Sequence, residues 1–278
     1  MTHLKIEKEV MSAQSPIERI IHRPPFIIHH FTSLGSTNDQ LKAMVAAPEG
    51  ACVVADEQTA GRGRRARTWH SSPGDGLYMS ILFLPRSDAS SRLPLTGLLA
   101  AVAVAETLIE RGVAGVDIKW PNDVLVKGRK ISGVLAEAVS VGSGSLRLIL
   151  GVGVNLNHRS FPPELSESAT SLAIETGERV VVEEFRDRLL VKIARWYELW
   201  LRGASASIID CWSRLSTYAR GQQVVVALED EKLTGVTDGL TETGALRLVV
   251  DGGVRTILAG EVTKLRKGAN LSVRHSSA

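Results

Sequence analysis

The sequence has little of what several protein classes depend on. Only two of its 278 residues are cysteine, and 5% are Phe, Trp or Tyr. Cys52 and Cys211 stand in no CxxC or Cys/His spacing, so we expect buried free thiols in a reducing compartment, not a metal site or a disulfide framework. The longest uninterrupted apolar run is the eight residues 98–105, whereas a spanning helix needs about 20. We therefore expect no membrane span.

The first 25 residues mix acidic and basic side chains without an apolar segment, so we expect no secretory signal peptide. We therefore expect a cytoplasmic protein. No charge of either sign dominates, because 33 basic and 30 acidic residues leave a net charge of +3. That excess is too mild to indicate a dedicated nucleic-acid binder. With 44% hydrophobic and 23% charged residues, the composition is typical of a soluble globular protein and excludes a disordered tail protein.

Patterning along the chain predicts four parts: a poorly ordered leader (1–25), a large domain (26–216), a small β domain (217–267) and a tail (268–278). A DNA-binding helix-turn-helix needs three amphipathic helices and roughly 60 residues, which the leader cannot hold. We therefore expect no DNA-binding domain here.

The large domain is predicted to be α+β, with a mixed, largely antiparallel sheet flanked by helices, because consecutive apolar strands follow one another across short turns. One helix is expected to start at Ser36-Thr37-Asn38 with Thr37 as its N-cap. A second, rich in Ala, Val and Leu, is expected from residue 94 to 111. Beyond residue 217, four short strands separated by Gly, Asp and Glu turns predict a small β-barrel.

The most unusual segment is G-R-G-R-R-A-R at residues 61–67, which we call the arginine loop; it holds four arginines and no acid. Backbone N–H groups beside glycines, together with guanidinium groups, suit the binding of phosphate or carboxylate oxygens. Trp69 follows the loop and could cover a ligand. This segment alone is equally consistent with a solvated basic loop or a nucleic-acid patch. Neither a Walker loop nor a dinucleotide-binding GxGxxG pattern is present.

Three further motifs carry candidate polar groups. K-W-P-N-D places Lys119 at a strand end before a tight turn, where it is either a paired structural charge or a reader of anionic oxygen. G-V-G-V-N brings two glycines and Asn155 to a strand end, which indicates either a close approach of another group or a β-bulge. For Ser36-Thr37-Asn38, helix capping alone is a sufficient explanation.

Taken together and in order, S-T-N, Q-T-A-G-R-G-R-R, K-W-P-N-D, K-I-S-G-V-L-A-E and G-V-G-V-N closely resemble the biotin protein ligases. The resemblance runs from about residue 26 to 157 and continues more loosely into the last domain. It implies a catalytic domain like that of class II aminoacyl-tRNA synthetases, followed by an SH3-like C-terminal domain. It also indicates the monofunctional type, without an N-terminal DNA-binding domain.

The resemblance implies a reaction in which biotin and Mg-ATP form biotinyl-5′-AMP, after which biotin passes to one lysine of a carrier protein. The partner would be the biotin carboxyl carrier protein of acetyl-CoA carboxylase or a related carboxylase, with no DNA and no membrane involved. The enzyme would be a monomer or a homodimer. No protein-bound metal site is implied. Ala66 stands where the family often has glycine, which we expect to stiffen the loop with a modest kinetic effect.

Site residues are carried over position by position. Arg64 and Lys119 are the implied catalytic residues. The implied biotin-binding residues are Ser36, Thr37, Asn38, Gln58, Arg62, Gly63, Arg64 and Lys119. The implied nucleotide-binding residues are Arg64, Trp69, Lys119 and Asn155. Two alternatives stay open: a lipoate or octanoate ligase or transferase of similar fold, and a nucleic-acid-binding regulator that uses the arginine loop.

Overall fold

A computed structural model describes residues 26–141 and 145–264. The predicted leader (1–25) and tail (268–278) lie outside these ranges. No helix within the described ranges is long and apolar enough to cross a membrane.

The large sheet has seven strands in the order β1-β2-β3-β7-β6-β5-β4. β1 and β2 are parallel, and the other neighbouring pairs are antiparallel. The strands are β1 (Ile27–Leu34), β2 (Ala51–Gln58), β3 (Gly76–Phe83), β4 (Val116–Lys119), β5 (Asp123–Val126), β6 (Arg129–Val141) and β7 (Ser145–Asn155). The prediction of a mixed, largely antiparallel sheet in an α+β fold is confirmed.

In the part of the chain that the structure describes, five α-helices accompany this sheet: α1 (Thr37–Ala43), α2 (Pro94–Glu110), α3 (Leu172–Thr176), α4 (Val182–Leu201) and α5 (Ser205–Leu215). α2 packs against α4, α5 and β6. Its run of alanine, valine and leucine is apolar on nearly every side, as expected of a helix with neighbours all round.

The two faces of the sheet carry separate apolar clusters, because side chains alternate along a strand. On β2, Cys52 and Val54 belong to the main core with α2, whereas Ala51 and Val53 pack with Leu41 of α1. α1 therefore covers the face opposite α2, close to the S-T-N motif and the end of β2.

A second, antiparallel sheet follows α5, in the order β11-β10-β9-β8-β12. Its strands are β8 (Arg220–Ala227), β9 (Lys232–Leu240), β10 (Leu246–Val250), β11 (Gly253–Ile257) and β12 (Glu261–Lys264). β12 is not among the four strands predicted for this domain, because Val262 is its only apolar residue. The Trp120 indole N–H donates to the Gly244 carbonyl at 3.0 Å, which ties this sheet to the large domain.

Candidate active site

A cavity of about 500 Å³ opens on the α1 side of the large sheet, within the usual size range of small-molecule sites. All the site residues inferred from the sequence line it: Ser36, Thr37, Asn38, Gln58, Arg62, Gly63, Arg64, Trp69, Lys119 and Asn155. They come from α1, β2, β4, β7 and the segment between β2 and β3, so the fold brings together motifs that are far apart in the sequence.

One end of the cavity is built from uncharged polar groups, most of them buried. The N-cap of α1 is Ser36, whose hydroxyl accepts from the Asp39 N–H, so the prediction of Thr37 as N-cap was wrong by one residue. Thr37 instead donates its backbone N–H and its hydroxyl to Gln58 Oε1, at 2.8 and 3.0 Å. Ser80 of β3 adds a hydroxyl 2.7 Å from Thr37 Oγ1. We name Ser36, Thr37, Gln58 and Ser80, together with Asn38, the polar end.

Asn38 completes the polar end and is 4% exposed. Its Oδ1 lies 2.5 Å from Ser80 Oγ, and its Nδ2 donates to Glu137 Oε2 at 2.6 Å. A Cβ on Gly151 would lie 2.3 Å from Asn38 Oδ1, so β7 needs a glycine there to admit this side chain.

The second glycine of the G-V-G-V-N motif makes room for Trp69. A Cβ on Gly153 would lie 2.5 Å from Trp69 Cε2. β7 pairs with β3 and β6 without a register shift. Both glycines therefore serve close approach, and the β-bulge alternative is wrong. Trp69 lines the cavity, and its buried indole N–H has no hydrogen-bond partner among the residues that the structure describes.

The arginine loop closes the other end of the cavity, and its cations have different partners. Arg62 forms ion pairs with Asp39, and with Glu137 at 3.5 Å. Arg64 donates to Asn122 Oδ1 at 3.5 Å. Burial, and then the charge of Arg65, lower the pKa of Arg64 below its usual value, against the opposing effect of nearby carboxylates. A guanidinium nevertheless stays charged in proteins.

The remaining arginines reach the C-terminal sheet. Arg65, whose φ of 54° is left-handed, donates to the Ala227 carbonyl at 3.1 Å. Arg67 forms a two-pronged ion pair with Glu261 of β12, with one contact at 2.8 Å. The small sheet therefore holds one side of the arginine loop.

Lys119 has a partner, Asp123, that ends the same K-W-P-N-D motif, and a neighbour, Lys130, that sequence reasoning did not place in the site. Its Nζ lies 3.2 Å from Asp123 Oδ2, and Lys130 Nζ lies 2.6 Å from Asp123 Oδ1. Burial would raise the pKa of Asp123, but the two lysines outweigh burial and lower it. Both lysines line the cavity. The available signal for Lys130 was its place as the first residue of K-I-S-G-V-L-A-E, directly after a tight turn.

Sequence reasoning did not predict the far wall of the cavity, because this wall comes from segments without a local motif. The residues that line it are Phe161, Leu165, Ser168, Ala169, Tyr218, Glu261 and Lys264. Asn155 reaches this wall and donates to the Thr170 carbonyl at 3.0 Å. Behind Phe161, His158 stacks at 5.0 Å between ring centroids, and burial lowers its pKa to about 4. His158 is therefore neutral at pH 7.

Residues 26–141 and 145–264 contain no group of three or more His, Cys, Asp or Glu side chains arranged to hold a metal ion. Asp123 is a carboxylate on the cavity wall, but both of its oxygens face lysines. The cavity is thus cationic at the end formed by the arginine loop, Lys119 and Lys130, which we name the cationic end. It is neutral and hydrogen-bonding at the polar end. This arrangement suits a ligand with an uncharged polar group on one side and anionic oxygens on the other.

Comparisons with known proteins show what the chain is similar to. The model of the Biotin/lipoate A/B protein ligase family matches residues 31–155, and that of the Biotin protein ligase C terminal domain matches residues 220–265. The biotin--[acetyl-CoA-carboxylase] ligase of Paracoccus denitrificans is 35% identical over 234 residues, which cover 82% of this chain and 96% of that protein.

Two other proteins extend the comparison. The bifunctional ligase/repressor BirA of Bacillus subtilis is 35% identical over 222 residues, which are 78% of this chain but only 66% of that protein. The structure of the Aquifex aeolicus biotin protein ligase in complex with biotin and ATP superposes with a TM-score of 0.72 and 31% identity, covering 86% of this chain and 98% of that chain.

Proposed function

Because the chain belongs to the biotin protein ligase family, we propose that it joins biotin to a carrier protein in two steps. Biotin and Mg-ATP would form biotinyl-5′-AMP and pyrophosphate. A lysine amine of a biotin carboxyl carrier protein would then attack the acyl carbon of the adenylate, forming an amide and releasing AMP. Such a reaction needs no nucleophile from the enzyme itself.

The observation that carries this proposal is the division of the cavity into two chemically different ends. Biotin has an uncharged ureido ring at one end and a carboxylate at the other. Hydroxyl and carboxamide groups at the polar end suit the ring, since a buried polar group of the ligand needs hydrogen-bond partners. We assign Ser36, Thr37, Asn38 and Gln58 to the ring. Arg62 and Gly63 are assigned to the carboxylate.

The first step brings two anions together, because both the carboxylate and the α-phosphate are negatively charged. The carboxylate is ionised at pH 7 and needs no general base. What the reaction needs is neutralisation of charge as pyrophosphate leaves. We assign this role to Arg64 and Lys119, and add Lys130, whose ammonium group shares Asp123 with Lys119. Mg²⁺ would enter with ATP, since Mg²⁺ commonly binds through substrate phosphates.

The nucleotide is assigned to the wall beside Trp69 and Asn155. Biotinyl-5′-AMP is a mixed anhydride that water hydrolyses, so the site must exclude water until the carrier lysine arrives. Residues of the arginine loop and Trp69 line the cavity, and we assign this cover to them. We propose that the protein acts in the cytoplasm, a reducing compartment that suits its two buried free cysteines, Cys52 and Cys211.

The test is ATP–pyrophosphate exchange by the purified full chain, with biotin, lipoate or octanoate as the acid. We expect exchange with biotin only. Transfer would then be measured as biotin incorporation into a purified carrier domain, with a Lys→Arg carrier as the negative control. Exchange with lipoate or octanoate but not with biotin would overturn the proposal.

A further inference from the structure

Glu175 of α3 does not line the cavity, and its side chain is only 3% exposed. Its Oε1 accepts from the Thr170 hydroxyl and from Arg129, both at 2.7 Å, and its Oε2 accepts from Lys127 at 2.9 Å. Burial would raise the pKa of Glu175, but hydrogen bonds from Thr170 and Lys127 outweigh it and lower that pKa. Glu175 is therefore ionised at neutral pH, and the Thr170 hydroxyl must be the donor.

Thr170 is fully buried, and its backbone contacts two residues of the candidate site. Its N–H donates to the Lys130 carbonyl at 2.9 Å, and its carbonyl accepts from Asn155 Nδ2 at 3.0 Å. The Lys130 N–H in turn donates to the Ser168 carbonyl at 2.7 Å. Residues 168–170 therefore form a short parallel bridge with the start of β6, and this bridge fixes the backbone of Lys130.

The position of this bridge depends on the acceptor that Glu175 provides. A buried hydroxyl that loses its hydrogen bond is costly, so without Glu175 we expect residues 168–170 to shift. The Lys130 backbone and the Asn155 carboxamide would shift with them. Lys130 Nζ lies 2.6 Å from Asp123 Oδ1 at the cationic end, and a displacement of about 1 Å can lower a reaction rate by as much as about 100-fold.

We propose that Glu175 is a positioning residue that, through Thr170, fixes Lys130 at the cationic end and Asn155 beside the far wall. This inference rests on the proposed function, in which Lys130 neutralises charge during adenylation and Asn155 holds the nucleotide. One buried carboxylate thereby aligns the lysine with the nucleotide. The residues of the polar end come from α1, β2 and β3 and their N-terminal flanks, so we expect Glu175 to have little influence on biotin binding.

The test variant is Glu175→Ala, which removes the acceptor for the Thr170 hydroxyl. Calorimetry with biotin would count the folded binding sites of the full chain, and kcat for ATP–pyrophosphate exchange would be expressed per biotin-binding site. We expect this kcat to fall about tenfold and the KM for ATP to rise about threefold, because Lys130 and Asn155 both shift. The Kd for biotin should change less than about twofold, since the polar end is preserved.

A merely structural role gives a different result. Glu175→Ala would then lower the number of biotin-binding sites but leave kcat per site and the KM for ATP unchanged. That outcome would overturn the proposal, as would a loss of biotin affinity as large as the loss of kcat.

Two conservative variants identify the contact that matters. A glutamine oxygen can still accept from Thr170, so Glu175→Gln should bring kcat per site back to within about threefold of the wild type. Thr170→Val keeps the shape of the side chain and removes its hydroxyl. In the Thr170→Val protein, Glu175→Ala should lower kcat per site less than about twofold further, because the hydrogen bond is already absent.

Two outcomes of these variants would also overturn the proposal. In one, Glu175→Gln is as impaired as Glu175→Ala, so that the ion pairs with Lys127 and Arg129 carry the effect. In the other, the losses from Glu175→Ala and Thr170→Val are additive, so that the two residues act independently.

Glu178→Ala is the matched control, because Glu178 is an exposed acidic residue just beyond α3; we expect wild-type values of kcat per site, KM for ATP and Kd for biotin. Wild-type protein without biotin-dependent exchange would overturn the proposed function and this inference with it. Wild-type exchange together with an unchanged kcat per site in Glu175→Ala would overturn the inference alone.

Discussion

The two ends of the cavity are held in place by different forces. At the polar end, Thr37, Asn38 and Ser80 are at most 4% exposed and bond to one another and to Gln58. At the cationic end, the Arg67 side chain remains 64% exposed in its pair with Glu261. Buried hydrogen bonds are costly to leave unmade, whereas exposed ion pairs contribute about 0–1 kcal/mol. The polar end is thus preorganised, and the arginines can exchange protein carboxylates for ligand oxygens.

The largest effect should come from removing a cation at the reacting oxygens. We expect Arg64→Ala to lower kcat/KM for adenylate formation about 100-fold, comparable to losing one preorganised donor at a transition state. Bound biotinyl-5′-AMP should also dissociate faster, because its α-phosphate loses a partner. Single-turnover adenylation and adenylate release would be measured.

Arg86→Ala serves as the control for Arg64, since Arg86 is exposed in the connection between β3 and α2 and pairs only loosely with Asp88. If Arg64→Ala left both adenylation and adenylate release at wild-type values, the assigned role of Arg64 would be wrong. The cationic end would then depend on its lysines.

Lys119→Ala should lower the rate of adenylation about 30-fold with less effect on biotin binding, because Lys130 remains near the reacting oxygens.

The same variant also tests the contribution of Asp123 to stability, because both lysines lower the pKa of Asp123. Because the pKa of Asp123 is lower in the folded protein than its unfolded value of about 3.9, the ionised carboxylate stabilises the fold at pH values above about 3.9. This contribution to the free energy of unfolding is lost as the pH falls through the pKa of the folded protein.

The stability difference between wild type and Lys119→Ala should therefore be larger at pH 7 than at pH 4, as measured by urea unfolding. Lys232→Ala, on β9, is the control. If Lys119→Ala catalysed ATP–pyrophosphate exchange at the wild-type rate, the role assigned to Lys119 in adenylation would be wrong.

Much of this site followed from the sequence because its motifs are local. The arginine loop, the K-W-P-N-D turn and the start of α1 each lie within a few residues, and each has a recognisable composition. The N-cap was misplaced because Ser36 and Thr37 are both good capping residues. The choice between them depends on Gln58 at the end of β2, which accepts hydrogen bonds from the backbone N–H and the hydroxyl of Thr37. Glu261 was missed for the same reason, since its partner Arg67 is distant in the sequence. Glu137 ends the K-I-S-G-V-L-A-E motif, but its contact with Asn38 joins two distant segments and cannot be read from the motif.

The polar end is expected to tolerate little change in shape, and Gly151→Ala tests this. The added methyl carbon would lie 2.3 Å from Asn38 Oδ1 and would push Asn38 out of its hydrogen bonds. Overpacking typically costs about 1–3 kcal/mol, so we expect biotin affinity to fall about tenfold and the melting temperature to fall by several degrees.

Gly253→Ala, where the nearest atom lies 3.8 Å away, should leave the affinity for biotin unchanged. If Gly151→Ala bound biotin as tightly as the wild type, the polar end would be more adaptable than its burial indicates.

The smallest effect should follow from breaking the pair between the arginine loop and the C-terminal sheet. Because the pair is exposed, Arg67→Ala or Glu261→Gln should change the KM for ATP only about two- to threefold. The double variant should lose no more than either single variant, and high salt should shrink the difference because it screens exposed charges. An effect of 30-fold or more would show that β12 is as important to adenylation as the arginine loop itself, and that the cationic end is as preorganised as the polar one.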